Sequence, residues 1–260
     1  MSHISFSELK IWNECPFKRK LVYQDKIKGF EGNIFTAFGK AVHSGCEKYV
    51  EHRDIDSSIS HFIDTYSQEL SQLPKKVSDE ISQEDAEKFL EQGLKILRDV
   101  PESINDEFGN WELVSAEEML YEPIKEFVEK EYKFKGYIDL VVKTDDGRYH
   151  IIDWKTCSWG WDARRRADAM NVYQLIFYKH YYALKHGIDI DNIDVHFGLL
   201  KRTAKPGATV EIFKTTSGKI RTQNALKMLN QALYNISKER HIKNKVSCQK
   251  CEFYKTENCP

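Results

Sequence analysis

Apolar residues recur along this chain with two periods, and the switches between them mark its elements. The clearest are two β-branched runs, Gly136-Tyr137-Ile138-Asp139-Leu140-Val141-Val142 and Tyr149-His150-Ile151-Ile152-Asp153-Trp154-Lys155, either side of Thr144-Asp145-Asp146-Gly147. An Asp-Gly turn between such runs predicts a β-hairpin. Trp111 to Ile124 carries strand character, as do Asp194 to Leu200 and Thr209 to Phe213, which a basic loop from Lys201 to Gly207 joins.

Helical spacing governs the rest. A serine-capped helix is predicted within Ile4 to Trp12, and Pro16 suits the first turn of a second one. Between Asn33 and Glu51, Phe35, Phe38, Val42, Cys46 and Tyr49 share a face, with Gly39 and Gly45 allowing close packing. His52 to Val100 reads as two or three polar amphipathic helices, broken near Pro74 and ending before Pro101. Helices are also predicted over 168–186 and 218–237, the latter with Leu226, Leu229, Leu233 and Ile236 inward. The sum is an α/β fold without internal repeats.

Period two also locates the chemistry. Strand side chains alternate faces, so Asp153 and Lys155 lie on the same one. Asp139, on the partner strand, reaches that face only in one hairpin register. Two readings compete: a solvated hairpin with a surface ion pair, or a divalent-metal site in which carboxylates hold a hard cation and the lysine stabilises charge on a phosphate.

Composition narrows the class. The 260 residues are 41% hydrophobic and 30% charged, with no apolar run long enough to span a bilayer. The start lacks a secretory pattern, which predicts a cytoplasmic protein whose six cysteines are thiols or metal ligands rather than disulfides. The net charge of −1 conceals an asymmetry: residues 195–260 hold 13 Lys+Arg against 4 Asp+Glu. A basic end suits a polyanion, although a solvated lysine-rich helix explains it equally.

Other candidates are weaker taken singly. His43 sits on a predicted helix, where histidine is usually structural. Arg164, Arg165 and Arg166 suit phosphates or the solvated start of a helix. Gln174 and Tyr178 share a helix face at four-residue spacing. Glu117, with Glu118 as rival, is an acid on the strand before the hairpin. Cys248-x-x-Cys251 with Cys259 eight residues on reads as a metal site; Cys15, Cys46 or Cys157 would complete it, and spacing does not separate zinc from an iron–sulfur cluster.

Taken together, G-Y-I-D-L-V, a short turn and I-I-D-W-K-T resemble the core of the PD-(D/E)xK nucleases, specifically the RecB-like exonuclease branch. Three further pieces fit that branch: a helix leading to Cys15-Pro16-Phe17-Lys18, the G-x-x-x-H of Gly39 to His43, and the Q-x-x-x-Y of Gln174 to Tyr178. With the cysteine tail they span nearly the whole chain. The resemblance implies one nuclease domain over 1–260: a mixed central β-sheet flanked by helices, a restriction-endonuclease-like core. It carries a helical insertion over 52–105 and a cysteine-clasped tail over 245–260.

The site so implied has His43, Asp139, Asp153 and the Trp154 carbonyl on Mg²⁺ or Mn²⁺, with Lys155 positioning the attacking water. Glu117 adds an acid, Gln174 and Tyr178 line the site, and Tyr178 contacts DNA beside the arginines. The branch includes CRISPR-associated adaptation exonucleases and AddB-type helicase-nucleases, in which one N-terminal and three C-terminal cysteines hold a [4Fe–4S] cluster. Cys15, Cys248, Cys251 and Cys259 match those positions, and Zn²⁺ stays open as the alternative because the last gap is wider than usual. The expected activity is DNA exonuclease action on single-stranded ends, in a bacterial or phage-infected cell. The alternative is a non-catalytic or partner-dependent DNA-binding subunit working with a helicase or recombination protein, since the chain has no ATPase motif.

Overall fold

A computed structural model describes residues 2–260. Strand β1 (Ser2–Ser5) leads into α1 (Phe6–Glu14) and the single turn α2 (Pro16–Arg19), followed by the long α3 (Ile34–His52). Then come α4 (Ile55–Ser71), the short α5 (Lys75–Ser78) and α6 (Gln83–Phe108). The sheet is built next, from β2 (Trp111–Pro123), β3 (Tyr132–Thr144) and β4 (Tyr149–Cys157). After α7 (Ala163–Ala167) and α8 (Ala169–His186), β5 (Ile193–Lys201) and β6 (Val210–Lys214) complete it, and α9 (Lys219–Ser237) precedes the cysteine tail.

The sheet is mixed and runs β1-β3-β4-β5-β6, with β2 antiparallel along β3. Helices cover both faces. On β4, Ile152 and Trp154 point into a core shared with α3, α4 and α6, while Ile151 joins a second core with α1, α8 and α9. This is the expected α/β architecture, and the hairpin turn closes with Gly147 at φ +81°, as an Asp-Gly turn requires.

Helix α3, which carries His43, starts from a complete capping box. Asn33 Oδ1 accepts from the Thr36 N–H at 3.0 Å and Thr36 Oγ1 accepts from the Asn33 N–H at 2.8 Å. Such a cap is worth about 1 kcal/mol and fixes where the helix begins.

The serine-capped helix is present, with Ser5 Oγ accepting from the Glu8 N–H, and Ser2–Ser5 before it form a strand that pairs parallel with residues 132–135. Two local expectations are corrected. Helix α6 continues through Pro101 to Phe108, because Ile96, Leu97, Val100 and Ile104 hold one buried register across the proline. Phe35 does not join the buried face of α3. Phe38, Val42, Cys46 and Tyr49 do, whereas Phe35 is 53% exposed.

Candidate active site

The site begins with a gap in hydrogen bonding. One edge of β3 is taken by β2. On the other, β1 pairs with residues 132–135 and β4 with residues 140–143. Residues 136–139, the G-Y-I-D of the sequence, are therefore left open on that edge. Asp139 and Asp153 lie one step past the last rung, Leu140↔Ile152, so the register puts both acids on one face. The parted strands are bridged by a side chain: the Trp154 N–H donates to Asp139 Oδ2 at 2.7 Å. Lys155, two residues beyond Asp153, reaches back to it with Nζ at 2.6 Å from Oδ2.

Helix α3 closes the site from the other side. His43 Nδ1 stands 3.7 Å from Asp139 Oδ2, too far for a hydrogen bond and near enough to feel its charge. Glu117 lies on β2 between the rungs Ala116↔Leu140 and Glu118↔Ile138, level with Asp139, and has a left-handed backbone (φ +49°). That conformation is strained for a residue with a side chain, costing about 1–2 kcal/mol. Its neighbour Glu118 is committed elsewhere, accepting from Lys185 Nζ at 2.7 Å and Ser115 Oγ at 2.5 Å.

Burial dominates the electrostatics. It pushes Asp139 and Asp153 up to about 6, against the opposing pull of Lys155. Burial, with Lys155 beside it, also holds His43 below its usual range, so the imidazole is neutral with a free lone pair. Glu47, one turn along α3 from His43, is raised by burial and then by Glu117. Sequence reading missed Glu47. The four-residue spacing His43-x-x-x-Glu47, which puts both side chains on one helix face, was the available signal.

Helix α8 forms the remaining wall. Gln174 Nε2 donates to Tyr178 Oη at 3.0 Å. The Tyr178 hydroxyl is driven upward by burial and by Asp153, so it stays protonated. The arginines divide. Arg166 is fastened into the fold, with Nη2 2.6 Å from Glu211 Oε1 and Nε donating to the Trp161 carbonyl. Arg164 and Arg165 are exposed, and Arg165 lines a cleft at the end of β4. A larger cavity of about 670 Å³, lined by Lys179, Lys214 and Ser217, does not include the acids.

Cys15, Cys248, Cys251 and Cys259 line one narrow cavity. The Phe17 N–H donates to the Ile242 carbonyl at 3.3 Å and the Asn244 N–H to Cys15 Sγ at 3.3 Å, binding the tail to the α1–α2 corner. Cys46 and Cys157 are buried elsewhere as free thiols.

Both groups have the chemistry of metal sites. Asp153 is 2% exposed, and apart from Lys155 its Oδ2 has no polar partner among the described residues. Two buried carboxylates beside a neutral imidazole are the donor set a hard divalent cation takes. Four converging thiols are the set a thiophilic metal takes. Among the described residues, neither group is drawn into a ready-made shell of three His, Cys, Asp or Glu ligands.

Comparison with known proteins agrees with this geometry. The sequence model of the PD-(D/E)XK nuclease superfamily matches residues 3–256. A crystal structure of a “putative exonuclease” from Eubacterium rectale superposes with a TM-score of 0.60 at 15% identity, covering 100% of this chain and 90% of that one. That likeness concerns the fold. The crystal structure of SSO0001, 13% identical over 95% of this chain and 93% of its own, has a TM-score of 0.39, too low to bear on the argument. No curated protein matches.

Proposed function

This chain belongs to the PD-(D/E)XK nuclease superfamily, and on that premise we propose that it is a metal-dependent DNA exonuclease acting on single-stranded ends. The observation that carries the reading is the open β3 edge: it sets Asp139 and Asp153 side by side, with Lys155 and His43 around them. Members of this superfamily generally use Mg²⁺ or Mn²⁺. Here Asp139, Asp153, His43 and the Trp154 carbonyl would hold the ion. When bound, such a cation lowers the pKa of an attacking water and neutralises charge on the phosphate.

The chain's own groups do the remaining work. The Trp154 N–H orients the Asp139 carboxylate. Lys155 offsets the buried charge of Asp153 and presents an ammonium to the phosphate, where a fixed positive group stabilises the developing charge. Tyr178, steadied by Gln174, is a permanently protonated donor facing the acids. Glu47, raised by burial and by Glu117, adds a further carboxyl beside the site. The helices of 52–105 form an insertion whose packing on α3 holds His43 in place.

In the same reading the four cysteines hold a [4Fe–4S] cluster, or Zn²⁺, with a structural role. Ligation would link Cys15 to the tail across more than two hundred residues and so stabilise the folded state.

The test is degradation of end-labelled single-stranded DNA with Mn²⁺ by anaerobically purified protein, wild type against Lys155→Ala. Metal-dependent cleavage that the variant lacks is the expected result. No cleavage of any strand, with Mn²⁺ still raising the melting temperature, would favour a DNA-binding subunit that works with a helicase or recombination partner.

A further inference from the structure

Immediately past Lys155 the chain forms a second feature that the chemistry above does not use. Thr156, Cys157, Ser158, Trp159 and Gly160 face Phe35 and Phe38 of α3 across a cleft of about 360 Å³, with Arg165 and Arg202 at its sides. The cleft adjoins the acids. Gly39, one turn before His43, lies beside Thr156, where a Cβ would be in ordinary contact at 3.5 Å from Thr156 Oγ1.

Its composition is unusual for a surface. Trp159 is 75% exposed and Phe35 is exposed although it falls in an otherwise buried helical stripe. Trp159 forgoes most of its burial free energy and Phe35, edge-on to Phe89 at 5.3 Å, about half of the roughly 1.5–3 kcal/mol that full burial of such a ring supplies. The cleft is also built rather than loose. The Arg202 N–H donates to the Cys157 carbonyl at 2.9 Å, and Arg202 Nη2 to Ser158 Oγ at 2.8 Å. The Arg202 guanidinium lies over Phe35 and Phe89, 4.9 and 4.8 Å from their centroids. Two arginines line the cleft and no acid does; among the described residues neither arginine has a carboxylate partner.

Aromatic faces between unpaired cations are complementary to one kind of polymer. We propose that this cleft is a base-stacking subsite for a single-stranded polynucleotide, with a nucleobase on Trp159 and Phe35 and flanking phosphates on Arg165 and Arg202. The proposal rests on the nuclease reading and supplies the feature that favours single strands. Bases in a duplex are stacked on one another, whereas a single strand can give a base face to an aromatic ring. A cleft at the lower end of ligand-pocket sizes admits a base and not a duplex.

The experiment is fluorescence anisotropy in EDTA, so that nothing is cut, with labelled oligothymidylate, an abasic oligomer of equal length and a duplex. Trp159→Ala and Phe35→Ala alter exposed rings, and their melting temperatures are measured alongside. We expect each to weaken oligothymidylate binding about tenfold, to leave abasic and duplex binding unchanged, and Trp159→Tyr to restore affinity. Equal affinities of wild type and both alanine variants for oligothymidylate would overturn the subsite. Mn²⁺-dependent cleavage by wild type is assayed in parallel. Cleavage with ring-independent binding sinks the subsite alone, absence of both binding and cleavage sinks both readings, and ring-dependent binding without cleavage upholds the subsite while the nuclease reading fails.

Discussion

The ring of Tyr178 occupies the space where a side chain at Gly136 would begin: a Cβ there would lie 2.8 Å from Tyr178 Cε1. The glycine of G-Y-I-D thus makes room for the tyrosine of Q-x-x-x-Y. Gly136→Ala should displace the ring from the acids and lower the cleavage rate by about ten- to a hundredfold, since small misplacements near a reacting centre carry such costs. Single-turnover kinetics beside a melting curve will separate this from unfolding, and an unchanged rate would show that Tyr178 is not needed.

Asp153→Asn should separate metal binding from folding. Without metal the variant loses a buried charge and should melt no lower than wild type. With Mn²⁺ at about 100 times its dissociation constant, wild type should gain about 2.7 kcal/mol. That is about 5–10 °C for a chain of this size. The variant should gain little, and an equal metal-induced shift in both proteins would place the ion elsewhere.

Trp154 supports the site from beneath. Its side chain is fully buried, and a Cβ on Gly198 would lie 2.1 Å from its Cε3 atom. Neither residue can give way inside a packed core, so Gly198→Ala should destabilise the protein by about 3 kcal/mol or more. Urea denaturation measures this directly.

The histidine pair gives a pH dependence. His150 Nδ1 and His196 Nε2 are 3.1 Å apart under Phe108, facing Glu107, Asp194, Arg148 and Lys214. Burial, then the neighbouring imidazole, pushes His196 down to about 3, and burial lowers His150 as well. A histidine with a depressed native pKa is protonated first in the unfolded chain. Stability is therefore complete above the ordinary pKa of 6.5 and lost as pH falls from there toward 3. The loss should reach a few kcal/mol. Melting temperatures between pH 8 and 4.5 should fall less steeply in His196→Gln, and parallel curves would contradict the assignment.

For the cysteines, iron, sulfide and zinc analysis of anaerobically purified protein decides the occupant. Cys15→Ser should lose the metal and expose the tail beyond Ile242 to limited proteolysis, while Cys46→Ser should retain both. Equal metal content in the two variants would remove Cys15 from the ligand set.

Much of the sheet was legible because its signals are local. The Asp-Gly turn fixed the hairpin, and period two placed Asp153 with Lys155. Other features depended on partners distant in sequence. Four residues are too few to display a period, so β1 is a strand only because residues 132–135 pair with it. Pro101 is an interior helix breaker by local rules, yet the buried register of α6 carries the helix past it. The convergence of Asp139 with Asp153 needed a register that sequence leaves free, and Glu47 and the Phe35–Trp159 cleft needed the approach of α3 to the end of β4. Arg166 looked like its two neighbours in the sequence until Glu211 on β6 claimed it.

The four-residue opening in the β3 edge also leaves the two acids tethered in different ways. Asp139 is held by ladder rungs on either side along β2 and by its own bond to the Trp154 N–H. That bond sets the reach of the carboxylate against the amide. Among the described residues, the polar partner of Asp153 is the ammonium of Lys155, carried on a flexible stem. The first acid is thus fixed by a backbone amide and the second by a flexible ammonium.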